Sequence, residues 1–326
     1  MAIQNTEINR TDYQNNILRL EKKYFEKIEQ VITSDSFQND LLLIEKETEE
    51  NYPRYRDVWK LVDKIKVPVE RLIRQHIYLS FANEITGIYP SPISSDLGIR
   101  MADAVICIDA KTINTYSNAG DLRSTHAEQN QNSFDNRNYQ YIKVVSNLEA
   151  IDHYSRLPVL TYIIKVVYND DKYHFKLERN PKPSMVLVCI PNGELSSLFD
   201  YNIIDNFKTY KYYDEIDGEY YKPINVNNIP DGILNDYLTE ECINRRHWLR
   251  VDTEQFSSDH IFYDIARQQL WWLTSYKNKN CVVAVKSGDT VRYNNNIMRN
   301  RFDEHNNSWE GYKDYQLPAP LPSAVR

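Results

Sequence analysis

The chain has 326 residues, of which 26% are charged, and a formal net charge of −7. This acidic balance argues against a protein that holds a polyanion through bulk positive charge, so any such surface must be a local basic patch. The low mean hydropathy excludes a chain that consists mainly of membrane spans.

The sequence lacks the motifs of several functional classes of protein. The four cysteines lie far apart without a CxxC pair, which disfavours a zinc site or a disulfide framework. The eight glycines form no GxxxxGK[ST] phosphate loop, and no GxSxG element is present. The first residues carry no basic-then-apolar signal and no run approaches the length of a membrane span. We therefore expect a reduced, cytoplasmic protein without NTP-driven or dinucleotide chemistry.

Helical periodicity dominates the first quarter of the chain. Apolar residues recur at helical spacing with lysine and glutamate between them. The pattern predicts four helices, over Tyr13–Ile32, Ser36–Glu50, Tyr55–Ile65 and Val69–Phe81. Their apolar faces require a partner, for which a β-sheet and a dimer interface remain alternatives.

A β-hairpin is predicted between Ser94 and Thr112. Two β-branched or apolar runs flank a polar break at Ala102-Asp103, which favours a two-residue loop. That register places Asp96 directly opposite Asp109, with Lys111 on the same face because side chains alternate along a strand. Asp103 falls in the turn and is a poor partner for this group.

These residue types suit metal-assisted chemistry. Two carboxylates can hold a hard divalent cation, for which Mg²⁺ is the natural choice, and leave positions for water and a phosphate oxygen. The ammonium group of Lys111 can position the attacking water. Charged residues in an apolar strand are costly unless they are paired or bind metal, so this pattern favours a site over an exposed Asp–Lys pair on an edge hairpin.

The segment resembles the PD-(D/E)xK nuclease superfamily. Ser95-Asp96 stands in place of Pro-Asp, and Asp109-Ala110-Lys111 is the D-x-K half. Asn130-Gln131-Asn132-Ser133 is similar to the Asn-Gln-x-Ser element that follows the D-x-K strand in type II restriction endonucleases. The runs 157–168 and 186–193 are similar to the strand pair and Pro-Asn-Gly turn of the BglI and EcoRV branch.

The resemblance implies an α/β fold with a restriction-endonuclease-like core, a mixed β-sheet flanked by helices. We expect one catalytic domain over residues 1–326 with insertions. Residues 1–65 would form an N-terminal helical part, residues 66–200 the nuclease core, and residues 201–326 a C-terminal part that completes the fold and the DNA cleft.

The resemblance also implies roles for individual residues. Asp96 and Asp109 would bind Mg²⁺, Lys111 would position water, and Glu70 would assist from the fourth helix, unless it is simply solvated. In related restriction enzymes the first aspartate lies farther upstream of the D-x-K element, which leaves Glu84 as an alternative to Asp96.

The implied activity is that of a type II site-specific deoxyribonuclease that leaves 5′-phosphate and 3′-hydroxyl ends. A homodimer would cut double-stranded DNA at a palindromic or interrupted palindromic site, with a cognate DNA methyltransferase as its genetic partner. The lack of ATPase and methyltransferase motifs fits an enzyme that acts alone. The alternatives are a structure-specific repair or junction nuclease and a non-catalytic DNA-binding module.

Candidate DNA contacts come from polar and basic segments. Asparagine and glutamine pair with adenine edges, and arginine binds guanine or phosphate. The polar run between Asn114 and Asn138 is long for an idle loop. The arginine cluster near Trp248 predicts a phosphate clamp or a structural basic face. The candidates are Arg123, Asn130, Gln131, Asn132, Ser133, Lys165, Asn192, Arg245, Arg246 and Arg250.

The last third of the chain yields fewer expectations. Ile261–Tyr276 is predicted to be a buried helix, and Cys281–Lys286 a core strand that ends at the turn Ser287-Gly288-Asp289. The proline-rich tail after Gln316 is predicted to be extended.

Overall fold

The computed structural model describes residues 11–55, 65–89, 95–116, 122, 124–134, 146–170, 174–199, 204–209, 223–225, 248–250, 261–264, 269–276, 279–302 and 308–322. The chain divides into two compact units. The first consists of Met1–Asp135, Ser146–Asp205 and Arg292–Arg326, and the second of Asn136–Val145 and Asn206–Val291. The predicted single catalytic domain, with its N-terminal, core and C-terminal parts, stays a prediction.

Three of the four predicted helices are confirmed. They are α1 (Asp12–Ile32), α2 (Asp35–Tyr55) and α3 (Lys66–Phe81). A capping box starts α1, because Thr11 Oγ1 accepts from the backbone N–H of Gln14 while the Gln14 side chain accepts from the N–H of Thr11. The predicted helix over Tyr55–Ile65 lies outside the described residues except for its two ends: α2 ends at Tyr55, and Ile65 immediately precedes α3.

The strands follow in chain order. They are β1 (Gly87–Ile88), β2 (Leu97–Arg100), β3 (Val105–Asn114), β4 (Thr125–Glu128), β5 (Val159–Asp170), β6 (Phe175–Leu177), β7 (Met185–Ile190), β8 (Ile204–Thr209), β9 (Pro223–Asn225), β10 (Trp248–Arg250), β11 (Ile261–Asp264), β12 (Gln269–Tyr276), β13 (Lys279–Tyr293) and β14 (Tyr312–Tyr315). Short 3₁₀ helices span Gln129–Gln131 and Gly193–Phe199, and helix α4 spans Asn295–Arg299.

A mixed sheet forms the centre of the first unit. Among the described residues its order is β1-β2-β3-β5-β7-β14, with β6 paired to β5. Strands β3 and β5 run parallel, whereas the other neighbours are antiparallel. The central strands β3, β5 and β7 are almost continuously apolar because both of their faces are buried. With α1, α2 and α3 packed on it, this sheet confirms the predicted α/β class.

The predicted hairpin is present in the predicted register. Leu97 lies opposite Ile108 and Arg100 opposite Val105. The N–H of Met101 donates to the carbonyl of Ala104 at 2.8 Å, which closes a two-residue turn at Ala102-Asp103. Strand β2 begins at Leu97, so Asp96 lies one residue before the paired region.

Polar contacts tie the N-terminal helices to the sheet. Asp103, in the hairpin turn, accepts hydrogen bonds from Tyr24 and, at 2.6 Å, from Lys23 on α1. The hydroxyl of Tyr162 on β5 donates to the backbone carbonyl of Glu21 at 2.8 Å. On α2, Glu45 binds Arg179 and the N–H of Leu177. Of the two partners considered for the helices, the sheet is the one observed.

The structure of the second unit contradicts two predictions from the sequence, a helix and a turn. Its strands are ordered β11-β12-β13-β10-β9, and β11 and β12 form an antiparallel pair over Ile261–Tyr276, so the predicted helix there is wrong. Aromatic and β-branched runs favour strands once a partner is available, and Trp272 lies opposite Val283 of β13. Strand β13 continues through Ser287-Gly288-Asp289 to Tyr293, so the predicted turn is also wrong.

The C-terminal segment closes the first sheet. Strand β14 pairs with β7, and the extended tail packs on the body through Leu317, whose N–H donates to Ser184 Oγ at 3.1 Å. After Tyr315 the described tail, up to residue 322, forms no helix or strand, and its predicted extended conformation stays a prediction. Among the helices in the described ranges, none is long and apolar enough to cross a membrane.

Candidate active site

Asp109 is a buried carboxylate in the middle of a core strand. It lies between Ile108 and Ala110 on β3, with 3% of its surface exposed. Burial raises the pKa of its carboxyl group to about 6, although the ammonium of Lys111 acts in the opposite direction. The charges of Asp96 and Glu128 raise the pKa further. A buried acid with a raised pKa and a specific charged partner is a candidate functional group.

Lys111 and Gln131 surround this carboxylate. The Nζ atom of Lys111 lies 2.8 Å from Asp109 Oδ2, and its side chain remains about one-third exposed. The side-chain amide of Gln131 donates to Asp109 Oδ1 at 2.9 Å, and Lys111 Nζ donates to Gln131 Oε1 at 3.3 Å. The three side chains therefore form a closed polar triangle above an apolar strand.

Asp96 reaches the same place from the other strand of the hairpin. Its Oδ2 atom accepts a hydrogen bond at 2.7 Å from the backbone N–H of Ala110, the residue between Asp109 and Lys111. Its own carbonyl accepts a bond of 2.7 Å from Arg74 Nη2 on α3. The hairpin thus brings Asp96, Asp109 and Lys111 together as predicted.

The two predicted glutamates lie in different positions. Glu70 is one helical turn before Arg74 on α3 and forms an ion pair of 3.8 Å with Lys66. Glu84 forms an ion pair of 2.5 Å with Lys27. Thr86, two residues later, donates its backbone N–H to the carbonyl of Arg100, which lies at the turn end of the hairpin. Because Arg100 is about 13 Å along the strand from Asp96, this position favours Asp96 over Glu84 as the first acidic residue.

The residues present fit a hard divalent cation. Asp109 Oδ2 is buried, and its polar contact within the described part of the chain is the ion pair of 2.8 Å with Lys111 Nζ. Asp96 retains its second carboxylate oxygen beside it. No cluster of three histidine, cysteine or acidic ligands occurs in the described ranges. Two carboxylates completed by water and substrate oxygens are a set that Mg²⁺ accepts.

The Asn130–Ser133 element is mainly structural. Asn132 is fully buried, donates to the Glu128 carbonyl at 2.8 Å and accepts from Tyr293 at 2.6 Å. Ser133 Oγ accepts from the N–H of Gly193 at 3.1 Å. A side chain at Gly193 would collide with the Ser133 carbonyl. Asn130 is the least buried of the four, although its Oδ1 atom is itself buried.

Two other predicted DNA contacts are turned inward. Lys165 is 2% exposed and donates to Ser124 O at 3.1 Å and to Thr125 Oγ1 at 2.9 Å. Asn192 is 1% exposed and donates to the carbonyls of Ala150 and Val159. Both side chains hold segments of the fold together, which the sequence did not indicate, and neither is available to DNA in this structure.

The structure describes no side chain for the remaining candidate DNA contacts. Arg123, Arg245 and Arg246 lie outside the described residues, and Arg250 is described only as a backbone position in β10. Sequence reasoning also missed two residues. Arg74 holds the Asp96 backbone, and Glu128 lies near enough to Asp109 to affect its pKa. Their positions depend on distant packing, although Glu128 immediately precedes the Gln129–Ser133 run.

With this geometry established, the comparisons indicate the family. Residues 14–172 match the family model of the type II restriction enzyme MwoI, N-terminal domain. Over these residues the chain is similar to a type II restriction endonuclease. The matched range contains Asp96, Asp109 and Lys111, so the predicted resemblance and the prediction of a nuclease are confirmed.

Two solved structures are similar to this chain. A crystal structure of the restriction endonuclease BglI bound to its DNA recognition sequence has 13% identity and a TM-score of 0.46, covering 60% of this chain and 79% of that chain. A crystal structure of the tetrameric restriction endonuclease SfiI bound to cognate DNA has 11% identity and a TM-score of 0.39, covering 62% and 73%. The comparison with curated sequences finds no match.

The buried carboxylate predicts a stability effect. Because Asp109 has a folded pKa of about 6, above its ordinary value of 3.8, its ionisation destabilises the fold as pH rises through that window. In EDTA, Asp109→Asn is expected to melt at a higher temperature than the wild type at pH 7, by an amount that shrinks towards pH 4. Thermal melts across this range check it, and an unchanged difference at all pH values would contradict the prediction.

Proposed function

We propose that this protein hydrolyses double-stranded DNA in a Mg²⁺-dependent reaction at a short palindromic or interrupted palindromic site. The observation that carries the proposal is the buried Asp109 carboxylate, with Lys111 at 2.8 Å and Asp96 bound to the intervening N–H. A charge kept in an apolar strand without a full set of hydrogen bonds lowers stability, which is the usual cost of a reactive site.

Asp96 and Asp109 would hold the cation. A magnesium ion held by these two carboxylates would supply positive charge that offsets the charge of the scissile phosphate. Lys111, whose ammonium is partly exposed beside the buried carboxylate, orients the attacking water and stabilises charge on the phosphate oxygens. The water oxygen forms a bond to phosphorus and releases a proton to solvent, the bond from phosphorus to the 3′ oxygen breaks, and the 3′ oxygen takes a proton from solvent. The products have 5′-phosphate and 3′-hydroxyl ends.

Glu70 would assist from α3, on the helical face that also carries Arg74. Asn130 would contact DNA beside the site, since its side chain is the least buried of the Asn130–Ser133 element. Arg123 and the cluster of Arg245, Arg246 and Arg250 would bind phosphates or bases. A two-fold homodimer provides one site for each DNA strand, and a cognate methyltransferase would protect the host sequence.

Incubation of the purified protein with a long linear duplex of known sequence tests the proposal. We expect discrete fragments with Mg²⁺, no cleavage in EDTA, and ends that DNA ligase rejoins. Sequencing of the ends then defines the site. A smear, or cleavage of branched junctions alone, would replace the site-specific activity with a nonspecific or structure-directed one. Intact DNA under all conditions would support a binding module.

A further inference from the structure

Gln131 connects both members of the D-x-K pair. It lies at the end of the 3₁₀ helix Gln129–Gln131, is 4% exposed, and is 22 residues from Asp109 in sequence. Its side chain donates to Asp109 Oδ1 and accepts from Lys111 Nζ. No other described side chain makes hydrogen bonds to both.

A backbone contact determines the orientation of this amide. The N–H of Glu128 donates to Gln131 Oε1 at 2.8 Å, and a backbone N–H requires an acceptor. The oxygen end therefore faces Glu128 and Lys111, and the NH₂ end faces Asp109. An amide held this way binds the ionised carboxylate of Asp109, which only accepts hydrogen bonds.

The segment that carries Gln131 is itself well anchored. Asn132 Nδ2 donates to the Glu128 carbonyl, and Asn132 Oδ1 accepts from the hydroxyl of Tyr293. A buried side chain held by three hydrogen bonds is poorly suited to read base edges, which require a side chain that projects into a DNA groove. The hydrogen bonds of Gln131 instead hold the side chains of Asp109 and Lys111.

We infer that Gln131 is a positioning residue, which fixes Asp109 and Lys111 for cation binding and cleavage, and does not read DNA bases. This inference rests on the proposed function. Gln131 satisfies Oδ1 of Asp109, so that Oδ2, which now contacts the Lys111 ammonium, is the oxygen at which a cation would bind in exchange for that contact. By accepting from Lys111, it directs part of the ammonium's hydrogen bonding away from Asp109. Without Gln131, Lys111 becomes the nearest partner for both carboxylate oxygens and competes with the cation.

Gln131→Met tests this role because methionine has a similar length but neither amide group. We expect cation affinity to fall about 10–100-fold, the usual effect of removing a group that orients a metal ligand. Calorimetric titration with Ca²⁺ measures that affinity directly. In cleavage assays kcat should fall and the Mg²⁺ concentration for half-maximal rate should rise, while the KM for DNA stays the same.

Gln75→Met is the matched control, since Gln75 is exposed on α3 and no hydrogen bond of its side chain is observed in the described residues. It should leave Ca²⁺ affinity and cleavage unchanged. Melting curves in EDTA show whether each variant folds, and Gln131→Leu replaces Gln131→Met if the latter does not.

The outcomes separate this inference from the proposed function. Equal Ca²⁺ affinity in the wild type and the folded Gln131 variant would overturn the positioning role, as would a wild type that binds no Ca²⁺. A raised KM for DNA with normal cation binding would restore the base-reading role. If the wild type binds Ca²⁺ but cleaves no DNA, the proposed function fails while the calorimetric comparison still decides the role of Gln131.

Discussion

Replacing Lys111 by methionine is expected to lower the rate of DNA cleavage by about 10²–10³-fold, the effect of losing one preorganised group that stabilises transition-state charge. The Nζ atom of Lys111 is the cation nearest to Asp109, at 2.8 Å, and its side chain is one-third exposed. Methionine keeps the aliphatic stem and removes the charge. Single-turnover cleavage with enzyme in excess measures the rate, and gel shifts in Ca²⁺ should show unchanged DNA binding.

Two further variants sharpen this test. Lys176→Met changes an exposed lysine of β6 in the same sheet and should cleave DNA at the wild-type rate. Lys111→Arg keeps the charge but replaces a compact ammonium by a planar guanidinium, so it should also be slow. Normal cleavage by Lys111→Met would end the assignment of this site. Lost DNA binding would show that Lys111 acts in binding rather than in hydrolysis.

Removing Arg301 alone is expected to lower the free energy of unfolding by about 3–5 kcal/mol, because it leaves Glu21 buried without a counter-ion. Glu21 and Arg301 are 0% and 1% exposed, and Arg301 Nη1 lies 3.5 Å from Glu21 Oε2. Burial already raises the pKa of Glu21 despite Arg301. Urea denaturation of Arg301→Met measures the loss, which should be smaller at pH 5 than at pH 7.

The surroundings of Arg301 explain why this pair is sensitive. Its guanidinium donates to the Cys189 carbonyl and lies 5.3 Å from the ring centre of Phe199. A Cβ atom at Gly311 would come within 2.6 Å of the Arg301 Nε atom. The arginine therefore contacts α1, β7 and the C-terminal segment at once. Its loss leaves the N–H of Asn192 as the hydrogen-bond donor to the buried Glu21 carboxylate among the described residues.

A surface pair two residues away provides the control. Arg299 forms an ion pair of 2.9 Å with Asp314, and both side chains are more than one-third exposed. Arg299→Met should therefore lower the free energy of unfolding by at most about 1 kcal/mol. The double variant Glu21→Gln with Arg301→Met should recover most of the stability, because it removes both buried charges. If Arg301→Met and Arg299→Met lower the free energy of unfolding by the same amount, the buried pair of Glu21 and Arg301 contributes no more to stability than the surface pair.

The sequence determined the local geometry of the candidate site. Alternation and the polar break at Ala102-Asp103 were enough to predict the hairpin register, since a two-residue loop leaves few ways to pair the flanking strands. That register placed Asp96 beside Asp109 and Lys111. Helical periodicity likewise located α1, α2 and α3, because each helix buries one continuous face.

Tertiary packing decided which polar residues are used inside the fold. Lys165 and Asn192 have the composition of DNA contacts, yet each is buried by partners far away in sequence. Gln131 looks like a base-reading residue until the fold brings it against Asp109. The strands at Ile261–Tyr276 depended on β13 as a partner, whereas a short apolar run alone does not distinguish a helix from a strand. Sequence patterns encode contacts between near neighbours, and the contacts that assign these roles join residues far apart in the chain.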